Sequence, residues 1–242
     1  MELGAGSASK TEVLLAALLR RQPACLYVPV DVSAAALHGA ARRLAGNLPL
    51  VQVRPIVATH EDALAELARL EGPVLVLFIG SSIGNLDDDA AERLLRGLRR
   101  ALGPRAQLLL GTDLRKAPDV LIPAYDDAAG VTAAFNKNVL ARINRELGGR
   151  FDPALFRHLA RWNDPLSRIE MHLESVTAQS VPIEALGIVA RFQRGETIHT
   201  ESSVKYDLAR VGRLLERGGF SRPTAYFDRE RRFAVHLAAA AP

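Results

Sequence analysis

The chain has 242 residues, of which 48% are hydrophobic and 24% charged, and its formal net charge is +4. That length buries a core of ordinary size, and the high apolar content with modest charge excludes a disordered polymer. A membrane helix is excluded too, because the longest strongly apolar run, 74–79, is far shorter than the roughly 20 residues a bilayer span needs.

A single cysteine, Cys25, rules out an intramolecular disulfide framework and any zinc site built on paired cysteines. The six histidines form no HExxH or other close ligand pair, so no metal is expected. The first residues, MELGAGSASK, do not resemble a secretory leader, and a cytoplasmic location is expected. Arginine pairs such as Arg42-Arg43 and Arg99-Arg100 fall on the polar sides of helix-like patterns. They read as solvated faces, so neither nucleic acid nor membrane is expected as a partner. The expected partner is a small molecule, and the expected state a monomer.

In chain order, a glycine-rich turn at 4–7 precedes a helix over 10–19 and an apolar strand over 25–30 that ends at Asp31. A second helix over 34–45, capped by Ser33, leads to a strand over 50–57, a helix over 61–70 and a strand over 74–79. The acidic run Asp87-Asp88-Asp89 starts a helix in which Ala91, Leu94, Leu95, Leu98 and Leu102 recur at helical spacing, and a strand over 107–111 follows. Such alternation predicts an α/β fold, a doubly wound parallel sheet covered by helices on both faces.

After Thr112 the pattern changes. Helices are predicted over 126–147 and 153–160, then strands over 168–175, 188–193 and 197–206. A helix over 208–216 ending at Gly218-Gly219, with strands over 224–227 and 233–237, completes the chain. The expected organisation is a Rossmann-like core over 1–115, an insertion of helices and antiparallel strands over 116–206, and a return to the core over 207–242.

Two stretches carry candidate chemistry. In Glu2-Leu3-Gly4-Ala5-Gly6-Ser7, glycines permit a tight turn and close approach to a nucleotide. Ser9 stands where dinucleotide enzymes carry a third glycine, which disfavours a nicotinamide dehydrogenase. Asp31 lies where a ribose-hydroxyl partner is expected, with helix capping as its other reading. Lys10, in a first helical turn, is either a cofactor contact or a solvated cation. The second stretch is the loop Gly80-Ser81-Ser82-Ile83-Gly84-Asn85 after the central strand, where open α/β sheets bind ligands. Asn85 can accept a hydrogen bond from an amine, or it can simply close a turn.

FIGSSIGNL, LLLGTDL, AYDDAAGVTAAFNKNVLARINRELGGRFD, IEMHL and TESSVKY occur in that order. Together they closely resemble the S-adenosylmethionine-dependent histidine Nα-methyltransferases of ergothioneine biosynthesis, over a stretch running from Glu2 to the C-terminus. The resemblance implies S-adenosylmethionine (SAM) as cofactor and L-histidine as substrate, trimethylated on its α-nitrogen to hercynine. It implies that Gly4, Gly6, Lys10 and Asp31 contact the cofactor, with Thr59 and His60 at the positions near adenine, where the family usually has an aspartate and an aromatic residue. It implies that Asn85 holds the α-amino group as an orienting residue, that Tyr125 helps hold the carboxylate, and that Glu201-Ser202-Ser203 meet the imidazole. Met171 would line the imidazole pocket, with an ordinary core methionine as its other reading. Against the family the chain lacks an N-terminal segment with most of the first strand, which predicts an exposed apolar sheet edge and a weakened fold. The alternatives are an N-methyltransferase for another amino acid and an inactive truncated remnant.

Overall fold

The structure is a computed structural model, and it describes residues 1–241. It opens with β1 (Glu2–Leu3), α1 (Ser9–Leu18), β2 (Cys25–Tyr27), β3 (Pro29–Asp31), α2 (Ala34–Asn47), β4 (Val51–Val53), β5 (Ile56–Val57) and α3 (Ala63–Ala68). These are followed by β6 (Val74–Phe78), α4 (Asp88–Leu102) and β7 (Ala106–Asp113). The next stretch contains α5 (Pro118–Leu121), α6 (Val131–Leu147), β8 (Phe156–Asn163), β9 (Arg168–Ser175), β10 (Gln179–Ile183), β11 (Ile188–Phe192) and β12 (Thr197–Val204). The chain closes with α7 (Leu208–Arg217), β13 (Thr224–Phe227) and β14 (Phe233–Ala239). It forms two compact units, the first built from Met1–Leu114 with Tyr206 onward and the second from Arg115–Lys205.

The first unit holds a seven-stranded sheet in the order β13-β14-β7-β6-β1-β3-β5. Its β1, β3, β5, β6 and β7 are parallel, and β14 joins β7 antiparallel. The strand order reverses between β1 and β6, so the segments leaving those two strands flank the crevice where open α/β sheets bind ligands. Two strands predicted as continuous are each broken, at Val28 before Pro29 and at Arg54-Pro55, because proline has no N–H to give to a ladder. Their first halves, β2 and β4, pair separately as a short parallel ribbon.

Helix α4 buries Ala91, Leu94, Leu95, Leu98 and Leu102, as its spacing predicts. Asp87 caps it, accepting a 2.7 Å hydrogen bond from the Ala90 N–H. Gly111 in β7 is required by packing: a Cβ there would stand 2.3 Å from the Ile79 carbonyl oxygen. An apolar cavity of about 700 Å³ lies beside α1, β2 and β6, lined by Leu14, Leu18, Leu26, Val74, Leu75 and Leu109. None of the residues expected to touch a cofactor lines it.

The second unit contains a three-stranded antiparallel sheet, β12-β9-β8, and the hairpin β10-β11. Helix α6 contributes Leu140 to a core with Phe151, Phe156, Leu173, Val181 and Ile183. Here one sequence expectation is corrected. Residues 153–160 are not a helix: a 3-10 turn at Pro153–Leu155 runs straight into β8. Leu155, Phe156 and Leu159 imitate helical spacing, but the strand alternation is completed by a buried histidine, His158, which hydrophobic patterning does not count. A second buried histidine, His172, lies on β9. It is buried, because β9 is the central strand, and its ring stacks on His199 across the ladder with centroids 4.9 Å apart.

Candidate active site

In the first unit, the chain leaves β1 through Gly4 (φ 65°) and Gly6 (φ 51°), a conformation that glycine adopts without strain. A Cβ on Gly4 would lie 3.4 Å from His60 Nε2 and 3.8 Å from Ser82 Oγ, so a side chain there would fill the cradle the turn makes. The Ala5 N–H donates to the Val30 carbonyl at 3.0 Å and the Gly6 N–H to Asp31 Oδ2 at 2.9 Å, which ties the turn to the end of β3. The other carboxylate oxygen of Asp31 accepts from the Ser33 N–H at 2.9 Å. Each oxygen keeps a further lone pair, as needed to accept from a ribose diol.

Beneath the turn, Thr11 donates to Glu2 Oε2 at 2.7 Å and the Tyr27 hydroxyl donates to the same oxygen. Glu2 is buried, and burial pushes its carboxyl above the ordinary range although both hydrogen bonds pull it down. This cluster pins the first turn of α1 to β1 and β2. Sequence reasoning missed it, because a lone acid beside a glycine turn gives no hint of burial.

The expected adenine contacts differ from each other. His60 packs edge-on against Phe78 with ring centroids 5.0 Å apart, next to Gly4. Thr59 is committed locally, since its hydroxyl donates to Asp62 Oδ2 at 2.8 Å and accepts from the Asp62 N–H at 3.2 Å. Lys10 is exposed in the first turn of α1. After β6, Ser81 adopts φ 61° and its Oγ accepts from the Asp113 N–H at 2.8 Å, while a 3-10 turn spans Ser82–Asn85. Asn85 ends that turn exposed, and its amide makes no hydrogen bond among the described residues.

In the second unit a bulge in β12 sets the geometry. The ladder pairs His199 with His172 and Glu201 with Met171, leaving Thr200 as the extra residue, its hydroxyl donating to the Met171 carbonyl at 2.9 Å. Cross-strand partners share a face, so Glu201, Ser203, Met171 and Ile169 lie together. Ser202 is opposite Glu170 on the other face, where its hydroxyl meets His199 Nε2 at 3.1 Å. The structure therefore groups Met171, Glu201 and Ser203 and sets Ser202 apart.

Glu201 is half-buried, and its carboxylate accepts no hydrogen bond among the described residues. Burial pushes its carboxyl up, partly offset by the positive charge of Lys205. Tyr125 Oη lies 2.9 Å from Ser203 Oγ, and Lys205 Nζ donates to both oxygens. The Tyr125 backbone is itself held: His158 Nε2 donates to its carbonyl at 2.7 Å, and His158 Nδ1 accepts from Asn136 Nδ2 at 2.9 Å. A carbonyl only accepts and an amide nitrogen only donates, so these partners select the neutral Nε2–H tautomer. Neither Lys205 nor His158 was singled out in the sequence.

Among the described residues no group of three or more potential ligands is placed to hold a metal, and no helix is long and apolar enough to cross a membrane. Comparison with known proteins matches residues 1–240 to the family described as histidine-specific methyltransferase, SAM-dependent. The histidine N-alpha-methyltransferase of Mycolicibacterium smegmatis is 40% identical over 238 residues, covering 98% of this chain and 74% of that protein. Its namesake from Mycobacterium tuberculosis is 41% identical, covering 99% and 74%. Ergothioneine biosynthesis protein 1 of Schizosaccharomyces pombe is 27% identical, covering 93% of this chain and 30% of that much longer protein. With the glycine cradle and the doubly wound sheet already established, these matches place the chain in the histidine-specific, SAM-dependent methyltransferase family.

Proposed function

We propose that the chain methylates the α-amino nitrogen of L-histidine, three times in succession, to give hercynine for ergothioneine biosynthesis, acting in the cytoplasm as a monomer. The observation that carries the choice of histidine is Glu201. A half-buried carboxylate with no donor among the described residues needs a ligand N–H. An imidazole supplies the N–H, whereas an aliphatic side chain would leave the carboxylate unsatisfied.

The turn and its surroundings fit SAM, which supplies a methyl group on a sulfonium when bound. Gly4 and Gly6 would admit its close approach, Asp31 would accept from the ribose hydroxyls, and His60 would pack beside the adenine. Lys10 is the outlying cofactor contact in this reading, and Thr59 contributes through its backbone, because its hydroxyl is engaged by Asp62.

The work of the chain itself is positioning. Asn85 accepts a hydrogen bond from the substrate amine through its amide oxygen and aims the nitrogen lone pair. Glu201 anchors the imidazole N–H, Met171 packs against the ring, and Tyr125 donates to the carboxylate. Holding both ends of the amino acid removes rotational freedom from the barrier. No strong base is required, since surroundings that disfavour the ammonium charge release its proton to solvent water, before the first transfer and again after the first and the second.

Incubation with L-histidine and SAM, followed by mass spectrometry, tests this reading. Mono-, di- and trimethylated histidine should accumulate in sequence. Methylation of another amino acid in preference to histidine, or no methylated histidine at all, contradicts it.

A further inference from the structure

We propose that Lys205 is a positioning residue that makes the Tyr125 and Ser203 hydroxyls donors to the substrate's α-carboxylate, so that the enzyme selects free amino acids over their amides. The proposal rests on the histidine methyltransferase reading above and extends it to a residue with no role so far.

The geometry is a closed triangle. Lys205 Nζ is 2.6 Å from Tyr125 Oη and 2.8 Å from Ser203 Oγ, and the two oxygens are 2.9 Å apart. An ammonium has hydrogens and no lone pair, so both hydroxyls must accept from it. The two hydroxyls then have two hydrogens left, and one of these is spent on the bond between them. The remaining hydrogen points to a ligand, and a carboxylate that replaces the mutual bond draws both. Such a triangle presents O–H donors backed by a positive charge, which favours an anionic carboxylate over a neutral amide.

The side chain is firmly held. Lys205 is 0% exposed and its ammonium also lies 4.6 Å from the centre of the Tyr125 ring. Its N–H donates to the Ser167 carbonyl at 2.7 Å and its carbonyl accepts from Ser167 Oγ at 2.9 Å. Burying an ammonium is costly unless it is hydrogen-bonded, and here both hydroxyls accept from it. Glu201 stands two residues before Ser203 on the same face, about 7 Å away at the rise of a strand. An acceptor and a donor pair at that separation match the two ends of histidine, its ring N–H and its carboxylate.

The test compares L-histidine with L-histidinamide as substrates for the wild type, Lys205→Met, and the double variant Tyr125→Phe with Ser203→Ala. Lys205→Met should raise KM for histidine roughly ten- to a hundredfold and leave kcat within about threefold. KM for histidinamide should barely move, so the preference for the free acid collapses. Because the double variant keeps the lysine, it tests the same triangle even if Lys205→Met does not fold, and it too should lose the preference. Adding Lys205→Met to it should change KM little further, since the hydroxyls through which the lysine acts are gone. Equal losses on both substrates, or an undiminished Lys205→Met effect without the hydroxyls, overturns the proposal. A wild type that methylates histidine and histidinamide alike overturns it while leaving the methyltransferase reading intact; a wild type that methylates neither overturns that reading itself.

Discussion

In the first unit the groups proposed for the cofactor belong largely to the backbone: two glycines at positive φ, the amides that tie the turn to β3, and one carboxylate at a strand end. In the second unit the groups proposed for the substrate are side chains on one face of β12, oriented by a bulge and a buried lysine. A shape made by backbone tolerates sequence change as long as glycine stays where φ demands it. Recognition made by side chains fails when one atom is exchanged. Variants in the first unit should thus act on cofactor affinity, and variants in the second on the choice of substrate.

The largest effect is expected at the cradle. Gly4→Val forces a β-branched residue to φ 65° and drives a side chain toward His60 and Ser82, so affinity for S-adenosylhomocysteine should fall roughly a hundredfold by calorimetry. An affinity within twofold of wild type would break the comparison on the cofactor side. Asn85 is the side-chain exception in the first unit. Asn85→Ala should lower kcat roughly ten- to a hundredfold through misplacement of the amine while S-adenosylhomocysteine affinity stays within about threefold, and a loss confined to cofactor affinity would return Asn85 to the backbone-shaped cradle.

A smaller effect is expected from pH. Burial raises the Glu201 carboxyl above its ordinary value of 4.5, so on acidification it takes up a proton earlier than an exposed glutamate. The protonated form no longer offers a carboxylate to the imidazole N–H, so KM for histidine should climb as pH falls through that raised value. Glu201→Gln should remove this acid limb, and a limb that persists in the variant would assign it to another group. The smallest effect is at Thr59. Its alanine variant loses the hydrogen bonds to Asp62 and should cost about 0.5–1 kcal/mol of stability while cofactor affinity stays within about twofold.

The two units also differed in how far they could be read from sequence. The apolar run of β6 and the helical spacing of α4 carry strong periodic signals, and both elements stand where they were expected. Breaks at Pro29 and Pro55 were visible as residues but not as the ends of separate strands. In the second unit β8 hid behind a buried histidine, and β10 carries Pro182, which argues against a strand by local rules. The alternation that puts Glu201 and Ser203 on one face was legible, but the bulge at Thr200 that sets which residues of β9 join them was not. Lys205 escaped because one lysine among 31 basic residues reads as solvated, and only tertiary packing shows it at 0% exposure against two hydroxyls.

The central claim is that substrate choice is written in the side chains of the second unit, with Glu201 reading the imidazole. The most direct measurement is the ratio of kcat/KM for histidine to that for tryptophan, in the wild type and in Glu201→Ala. The account predicts a wild-type preference for histidine that falls roughly a hundredfold in the variant, with S-adenosylhomocysteine affinity unchanged. A ratio that survives the substitution, or one that falls only together with cofactor affinity, would contradict it.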